Sequence, residues 1–431
     1  MKKLWLLLTL CAPLSLGAQT CNPSNTSGCP TTISGTPGST TPTAITGTTW
    51  TANGVTDSVD VINQAEYNHN ACPSTNTTGG GGCTLTVFMP HACNGVACAD
   101  HEIIYVPHGG GGSAGNAASS DGFAVGGGCC QQSILYVQQY LGRPNAVGGK
   151  GIIIVQLNYR LTDAGVGDGV NVFPAQWQDT KCGLWHILAN SATFPGNKTL
   201  IGFYGPSWGA QLVEWNVLTA DNAYTTSCDS SAPGSPPVYR AVAAWAPTTW
   251  MTPNGNSSFD NVNQTCAYQN AIIGQLYLGT DAAITGHCNA GNQPQTYTPS
   301  TVEATLQSHY TATTPLPDLI GFLPSTRLSI INNASMLFQF GTPSNSCATG
   351  DCLVMPYWNT LGITTLTTGG AAGGNLYALA TAYNSISGAP HPFMQVLYPA
   401  IIHEGQPLTS QTDAFNFLLM QNTTGGNLGI N

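Results

Sequence analysis

Charge is what this chain of 431 residues has least of: nine Lys plus Arg and 19 Asp plus Glu make up 6% of it, where a folded domain ordinarily carries about a quarter. With a net charge of −10 and no basic cluster, nucleic acid is excluded as a partner, because its phosphates require grouped Lys and Arg. Long apolar runs are missing too. No stretch of about 18 apolar residues is available to cross a bilayer, so no membrane span is expected. C-x-x-C pairs do not recur and histidine is not interleaved at ligand spacing, so no metal is expected, and no cofactor.

What is present is apolar or polar without charge. Hydrophobic residues at 42% suffice for a sizeable core in one large domain or two modest ones. Met1-Lys2-Lys3, then Leu4 to Leu10, then Cys11 to Ala18 give a basic head, a short apolar centre and small residues at the end. That is the pattern of a cleaved signal peptide over 1–18, so a secreted protein, extracellular or periplasmic, is expected. Removing Cys11 with the leader leaves 14 of the 15 cysteines, an even number in a compartment that permits disulfides. Close spacing suggests Cys21 with Cys29, Cys72 with Cys83, Cys93 with Cys98 and Cys347 with Cys352, although spacing does not determine connectivity.

Residues 19–82 are rich in Thr, Ser and Gly and include Gly79-Gly80-Gly81-Gly82. They read as a loop-rich N-terminal segment tied by cysteines, with a few short strands. From Cys83 the pattern becomes regular and predicts a catalytic domain over 83–431. Strands are expected at Thr84–Met89, Ile103–Pro107, Gly151–Leu157, Leu200–Tyr204, Val238–Trp245, Ser335–Phe340 and Met394–Tyr398, with helices at Gln131–Leu141, Pro174–Asn190 and Trp208–Ala220. Alternation of this kind predicts a mainly parallel central sheet with helices on both faces. The periodicity lapses over 250–330, which reads as an inserted lid.

Two motifs carry chemistry. His108-Gly109-Gly110-Gly111-Gly112 stands directly behind the strand Ile103–Pro107, and Gly205-Pro206-Ser207-Trp208-Gly209 follows a later strand and opens a helix. A G-x-S-x-G turn between strand and helix holds its serine exposed on a strained corner, while glycines behind an earlier strand leave backbone N–H groups free to face it. The pair, in this order, predicts a serine hydrolase.

Asn158-Tyr159-Arg160-Leu161, then Phe173-Pro174-Ala175-Gln176-Trp177-Gln178-Asp179-Thr180-Lys181, then Trp185 and Asn190 lie between those motifs. Over roughly residues 85–405 the chain resembles α/β-hydrolase serine esterases of the hormone-sensitive-lipase-like group, and most of all its feruloyl and acetyl-xylan esterase branch. Two positions depart from that likeness: Trp208 replaces the small residue usual after the serine, and Ala210 replaces a second glycine. The resemblance implies an α/β-hydrolase fold and places the oxyanion donors at the backbone N–H groups of Gly110, Gly111 and Trp208. His108 is expected to shape the loop, and Asp179 to be structural.

A serine hydroxyl needs an imidazole to take its proton and a carboxylate to orient that imidazole, in the chain order Ser, Asp or Glu, His. Four histidines follow Ser207: His287, His309, His391 and His403. His403 lies just past the last expected strand and is the expected base, whereas His391 stands before that strand and His287 and His309 fall in the lid. Asp351, in Gly350-Asp351-Cys352-Leu353-Val354-Met355-Pro356, resembles the acid loop of the group, with Asp318 as runner-up. The expected activity is hydrolysis of carboxylic esters through an acyl-enzyme, and the resemblance implies acetyl or feruloyl groups of plant polysaccharide as substrates. An extracellular polyesterase, a secreted prolyl-type peptidase and a non-catalytic hydrolase-like binding module remain alternatives.

Overall fold

The computed structural model describes residues 36–68, 82–110, 112, 115–117, 132–144, 150–161, 171, 175–218, 228–230, 239–245, 335–342, 393–399 and 408–421. The strands are β1 (Thr43–Ala44), β2 (Trp50–Ala52), β3 (Val55–Asp57), β4 (Val59–Glu66), β5 (Thr84–Pro90), β6 (Glu102–Pro107), β7 (Ile152–Leu157), β8 (Asn197–Pro206), β9 (Tyr239–Trp245), β10 (Ser335–Thr342) and β11 (Phe393–Pro399). The helices are α1 (Gln132–Gln139), α2 (Ala175–Ala189), α3 (Trp208–Leu218) and α4 (Leu408–Gln421). Every strand and helix expected from Thr84 onward is present, with β8 beginning earlier, at Asn197. The sequence pattern did not single out α4. The leader over 1–18 and the lid over 250–330 lie outside the described residues.

Nine strands form one sheet in the order β1-β4-β5-β7-β6-β8-β9-β10-β11. From β7 to β11 every neighbouring pair is parallel, while β1, β4 and β5 join antiparallel at one edge. β6 and β7 are buried along their whole length. Their β-branched runs, Ile152-Ile153-Ile154-Val155 above all, suit strands covered on both faces. The loop-rich segment before Cys83 contributes more than loops. β4 lies inside the sheet with Val59, Val61 and Ile62 fully buried, and β2 and β3 form a separate hairpin. Asn53 and Gly54 turn that hairpin at φ 50° and 78°, the two positive angles a two-residue turn requires.

One face of the sheet is covered by α1 and α4. Phe415 of α4 stacks on Tyr136 of α1 at 4.2 Å and tilts against Tyr204 of β8 at 5.8 Å. Tyr136 also donates to the Gln411 side-chain oxygen at 3.1 Å. On the opposite face, the Tyr105 hydroxyl of β6 donates to the Thr180 carbonyl of α2 at 2.9 Å. Helix and strand approach so closely there that a Cβ at position 183 would stand 2.5 Å from that hydroxyl oxygen.

The expected Cys93–Cys98 disulfide is present, and Cys83 is disulfide-bonded, its expected partner Cys72 lying outside the described residues. Cys182 of α2 pairs with Cys228, a bridge that short spacing did not suggest. Cys21, Cys29, Cys347 and Cys352 lie outside the described residues.

Candidate active site

The strand order locates a crevice. From β6 the chain passes through α1 to β7 on one side, then through α2 to β8 on the other. The order therefore reverses at β6, and open sheets bind ligands at the carboxyl ends of the strands beside such a reversal. The His108 to Gly112 stretch leaves the carboxyl end of β6, and Ser207 leaves that of β8.

Ser207 sits between β8 and α3 with φ +51°, a left-handed backbone that non-glycine residues rarely adopt and that marks stored strain. Both motif glycines are required by contact. A Cβ at position 205 would collide with the backbone of Gly209, and one at 209 would collide with the Pro107 carbonyl and stand 2.8 Å from that of His108. The serine corner is thus packed against the chain leaving β6. A Cβ at position 109 would lie 3.2 Å from the Pro206 carbonyl oxygen and 3.4 Å from Ser207 Cβ, so the glycine loop passes directly over the serine. Trp208 opens α3, whose first turn carries the positive end of the helix dipole and whose Ala210 N–H donates to the Ser207 carbonyl at 3.0 Å. The Trp208 side chain is buried, edge-on to Trp177 at 5.5 Å.

The loop after β6 is held from several sides. His108 is buried and stacks on Tyr159 at 4.2 Å, and its Nδ1 lies 2.6 Å from the Gly109 carbonyl oxygen. The Tyr159 hydroxyl donates towards the His108 carbonyl at 2.8 Å and the Gly109 carbonyl at 3.1 Å, and burial pushes that phenol well above its ordinary value. The Asn158 side-chain oxygen accepts the Ala117 N–H at 2.6 Å. Gln176 of α2 donates to the Gly112 carbonyl at 2.7 Å. Gly110 is exposed at φ +101°. His108 therefore shapes the loop, as its position implied.

Behind this loop, Arg160 and Asp179 form a buried pair. Arg160 donates to the Asp179 carboxylate through its backbone N–H at 2.8 Å and through Nε at 2.9 and 3.0 Å, with Nη2 in ion-pair contact at 2.8 Å. Nη2 also donates to the Ala175 carbonyl at 3.1 Å. Burial raises the Asp179 carboxyl above its ordinary value while the guanidinium pulls against it. Asp179 has no room for a substrate atom and acts as a structural clamp between the β7 exit and α2.

Ser207, Trp208 and Gly110 are thus brought to the ends of β8 and β6. Gly111, Asp351 and His403 lie outside the described residues, as do His287, His309, His391 and Asp318. Among the described residues one group of three side chains has metal-ligand spacing, Cys93, Cys98 and His101, but its two sulfurs are joined to each other. No helix among the described residues is long and apolar enough to cross a membrane. Tyr159, Asn158 and Gln176 were legible only as part of a resemblance. Their loop-holding contacts depend on tertiary distances that no local pattern encodes.

Residues 102–308 match the BD-FAE family model. No curated protein matches the chain. Among solved structures, it is similar to a truncated form of a carbohydrate esterase from gut microbiota, at 14% identity over 89% of this chain and 100% of that one, TM-score 0.46. It is also similar to carboxyl esterase 2 from the mycorrhizal fungus Tuber melanosporum, at 10% identity over 86% and 88%, TM-score 0.43. A bacterial heroin esterase aligns at 15% identity over 78% of each chain, TM-score 0.42.

Proposed function

We propose that this chain is an esterase-type α/β-hydrolase that cleaves carboxylic esters with Ser207 as nucleophile, His403 as general base and Asp351 as the carboxylate that orients it. The observation that carries the reading is the backbone of Ser207, held at φ +51° between β8 and α3 with the Gly109 backbone packed over its Cβ. Strain of that kind persists only where surrounding contacts over-determine it, and it presents the hydroxyl at a corner open to a reacting carbonyl. Strand polarity supports the partners. β10 and β11 run parallel to β8 and β9, so Thr342 and Pro399 end them on the serine's edge, with Asp351 and His403 following along the chain. Phe393 begins β11 at the opposite edge, which weighs against His391.

In this reaction the imidazole takes the Ser207 proton as Oγ attacks the ester carbonyl. The backbone N–H groups of Gly110, Gly111 and Trp208 stabilise the oxyanion, each donor contributing about 2.7–4 kcal/mol. The imidazolium returns its proton to the departing alcohol, and water then releases the acyl group by the same steps in reverse. The resemblance of the sequence to feruloyl and acetyl-xylan esterases favours acetyl or feruloyl esters of plant polysaccharide as substrates, and a composition poor in charge suits an uncharged polymer. The N-terminal pattern and the disulfides Cys93–Cys98 and Cys182–Cys228 support export, with a leader over 1–18 and a lid over 250–330.

A fluorophosphonate probe should label the purified protein at Ser207, and Ser207→Ala should abolish labelling and lower kcat by about 10⁶. His403→Ala should be nearly as damaging, with little further loss on adding Asp351→Asn, because triad members act as a unit. Labelling at another residue, or turnover in Ser207→Ala, refutes the nucleophile assignment. Comparing acetylated xylan, methyl ferulate, a polyester film and a Pro-containing peptide anilide separates the substrate classes.

A further inference from the structure

We infer that Gln176 is a positioning residue that ties the two halves of the oxyanion site to each other, an inference resting on the assignment of Ser207 as nucleophile. Gln176 is 1% exposed, at the start of α2. Its side-chain oxygen accepts the indole N–H of Trp208, and its side-chain nitrogen donates to the Gly112 carbonyl at 2.7 Å. The two partners are chemically opposite: an indole N–H can only donate and a backbone carbonyl can only accept. Only a side chain with an acceptor and a donor on one carbon bridges them without charge, which a carboxamide does and a carboxylate or thioether does not. The partners also fix which way round the amide lies, since the reversed amide would set donor against donor and acceptor against acceptor.

The bridge joins the loop of Gly110 and Gly111 to the residue whose backbone N–H supplies the third oxyanion donor. Donors arriving from β6 and from the start of α3 are then set relative to each other by one amide buried beneath both. Trp208 gains a reason as well. Its bulky side chain, standing where the resembling esterases carry a small residue, provides the indole N–H that Gln176 needs. The neighbouring Trp177 holds that indole edge-on, at 79° between ring planes.

The test compares wild type with Gln176→Met and Gln176→Glu. A donor set that loses its mutual alignment weakens transition-state stabilisation while leaving substrate binding intact. Gln176→Met should therefore lower kcat about 10- to 100-fold, less than outright removal of a donor, with KM within about twofold. Gln176→Glu keeps the shape but donates to Gly112 only when protonated, so its activity relative to wild type should rise as pH falls. Hydrogen–deuterium exchange, which needs no substrate, should accelerate in Gln176→Met across peptides covering 108–117 and 205–213 and stay unchanged elsewhere. Unchanged kcat, a loss confined to KM, or exchange that rises throughout the sheet overturns the inference. Should Gln176→Met fail to fold, the pH-dependent ratio for Gln176→Glu decides. If wild type takes up no fluorophosphonate and cleaves no ester, the nucleophile assignment fails, and exchange alone then shows whether the bridge exists.

Discussion

Replacing Arg160 with Met should destabilise the protein far more than an ordinary surface change. The guanidinium supplies the Asp179 carboxylate with contacts of 2.8, 2.9 and 3.0 Å, and without it only the backbone N–H at 2.8 Å remains. Asp179 is fully buried, so its charge cannot recover those contacts from water. Stranding one member of a buried pair costs about 3–5 kcal/mol, a large part of the roughly 5–15 kcal/mol that holds a native protein together. At about 2.1 cal/mol/K per residue, a chain of 431 residues shifts by about 1 °C per kcal/mol, so the thermal midpoint should drop by roughly 3–6 °C. The drop should depend on pH in one direction. Burial already raises the Asp179 carboxyl, and losing the guanidinium raises it further. The deficit is therefore fully present above the raised folded value and shrinks as pH falls through it, because the folded state then binds the proton more readily than the unfolded chain. Calorimetry of Arg160→Met across pH 5 to 8 follows both effects. Adding Asp179→Leu to Arg160→Met removes the stranded charge and should restore most of the lost midpoint. If the double variant is as unstable as the single one, the loss comes from the packing and other hydrogen bonds of Arg160, and the reasoning from charge is refuted.

Gly209→Ala should abolish ester hydrolysis and lower the thermal midpoint, because the added methyl meets the Pro107 carbonyl and forces the serine corner away from β6; wild-type turnover would show that the corner yields. Replacing Cys182 and Cys228 together by Ser should cost about 2–5 kcal/mol, read as a lower denaturant midpoint, since their bridge ties α2 to a segment 46 residues onward. His91, hydrogen-bonded to the buried Asp60 and near Asp57, has its imidazole raised above the ordinary value. Its stabilising effect should be complete below the unfolded value and be lost as pH rises through the folded one. The midpoint difference between wild type and His91→Gln should therefore be larger at pH 5.5 than at pH 8.5, and a constant difference refutes the coupling.

The regular part of the fold was legible because its signals are local. Ile152-Ile153-Ile154-Val155 can only be a buried strand, and G-x-S-x-G behind an apolar run describes its own turn. α4 was missed although Ala414, Phe415, Leu418 and Leu419 repeat at helical spacing, because it begins with the polar stretch Thr409-Ser410-Gln411-Thr412. β4 was hidden by the Thr- and Gly-rich residues around it, although Asn53-Gly54 announced the hairpin before it. Cys182–Cys228 could not be read at all, since distant cysteines are paired by the fold and not by spacing. The turn that holds Ser207 between β8 and α3 was legible in the motif itself, while Gly110 and Trp208 were singled out by resemblance. The supporting contacts of Tyr159, Arg160 and Gln176 join residues 108–112, 159–160 and 176–179, and only the folded sheet brings those stretches together.

Phe415 stacked between Tyr136 and Tyr204 imposes an order on biosynthesis. The strand that leads to the serine is finished at Pro206, yet the helix covering one of its faces is complete only at Gln421. At about 5–20 residues per second, the ribosome needs roughly 10–40 s to travel that distance. Until then Tyr204 lacks the Phe415 ring against it, and the nascent parallel sheet offers chaperones an apolar surface instead of a finished fold. A chain stopped anywhere before Leu408 lacks α4 and its Phe415 ring, so premature termination should yield aggregated protein instead of a shorter, folded one.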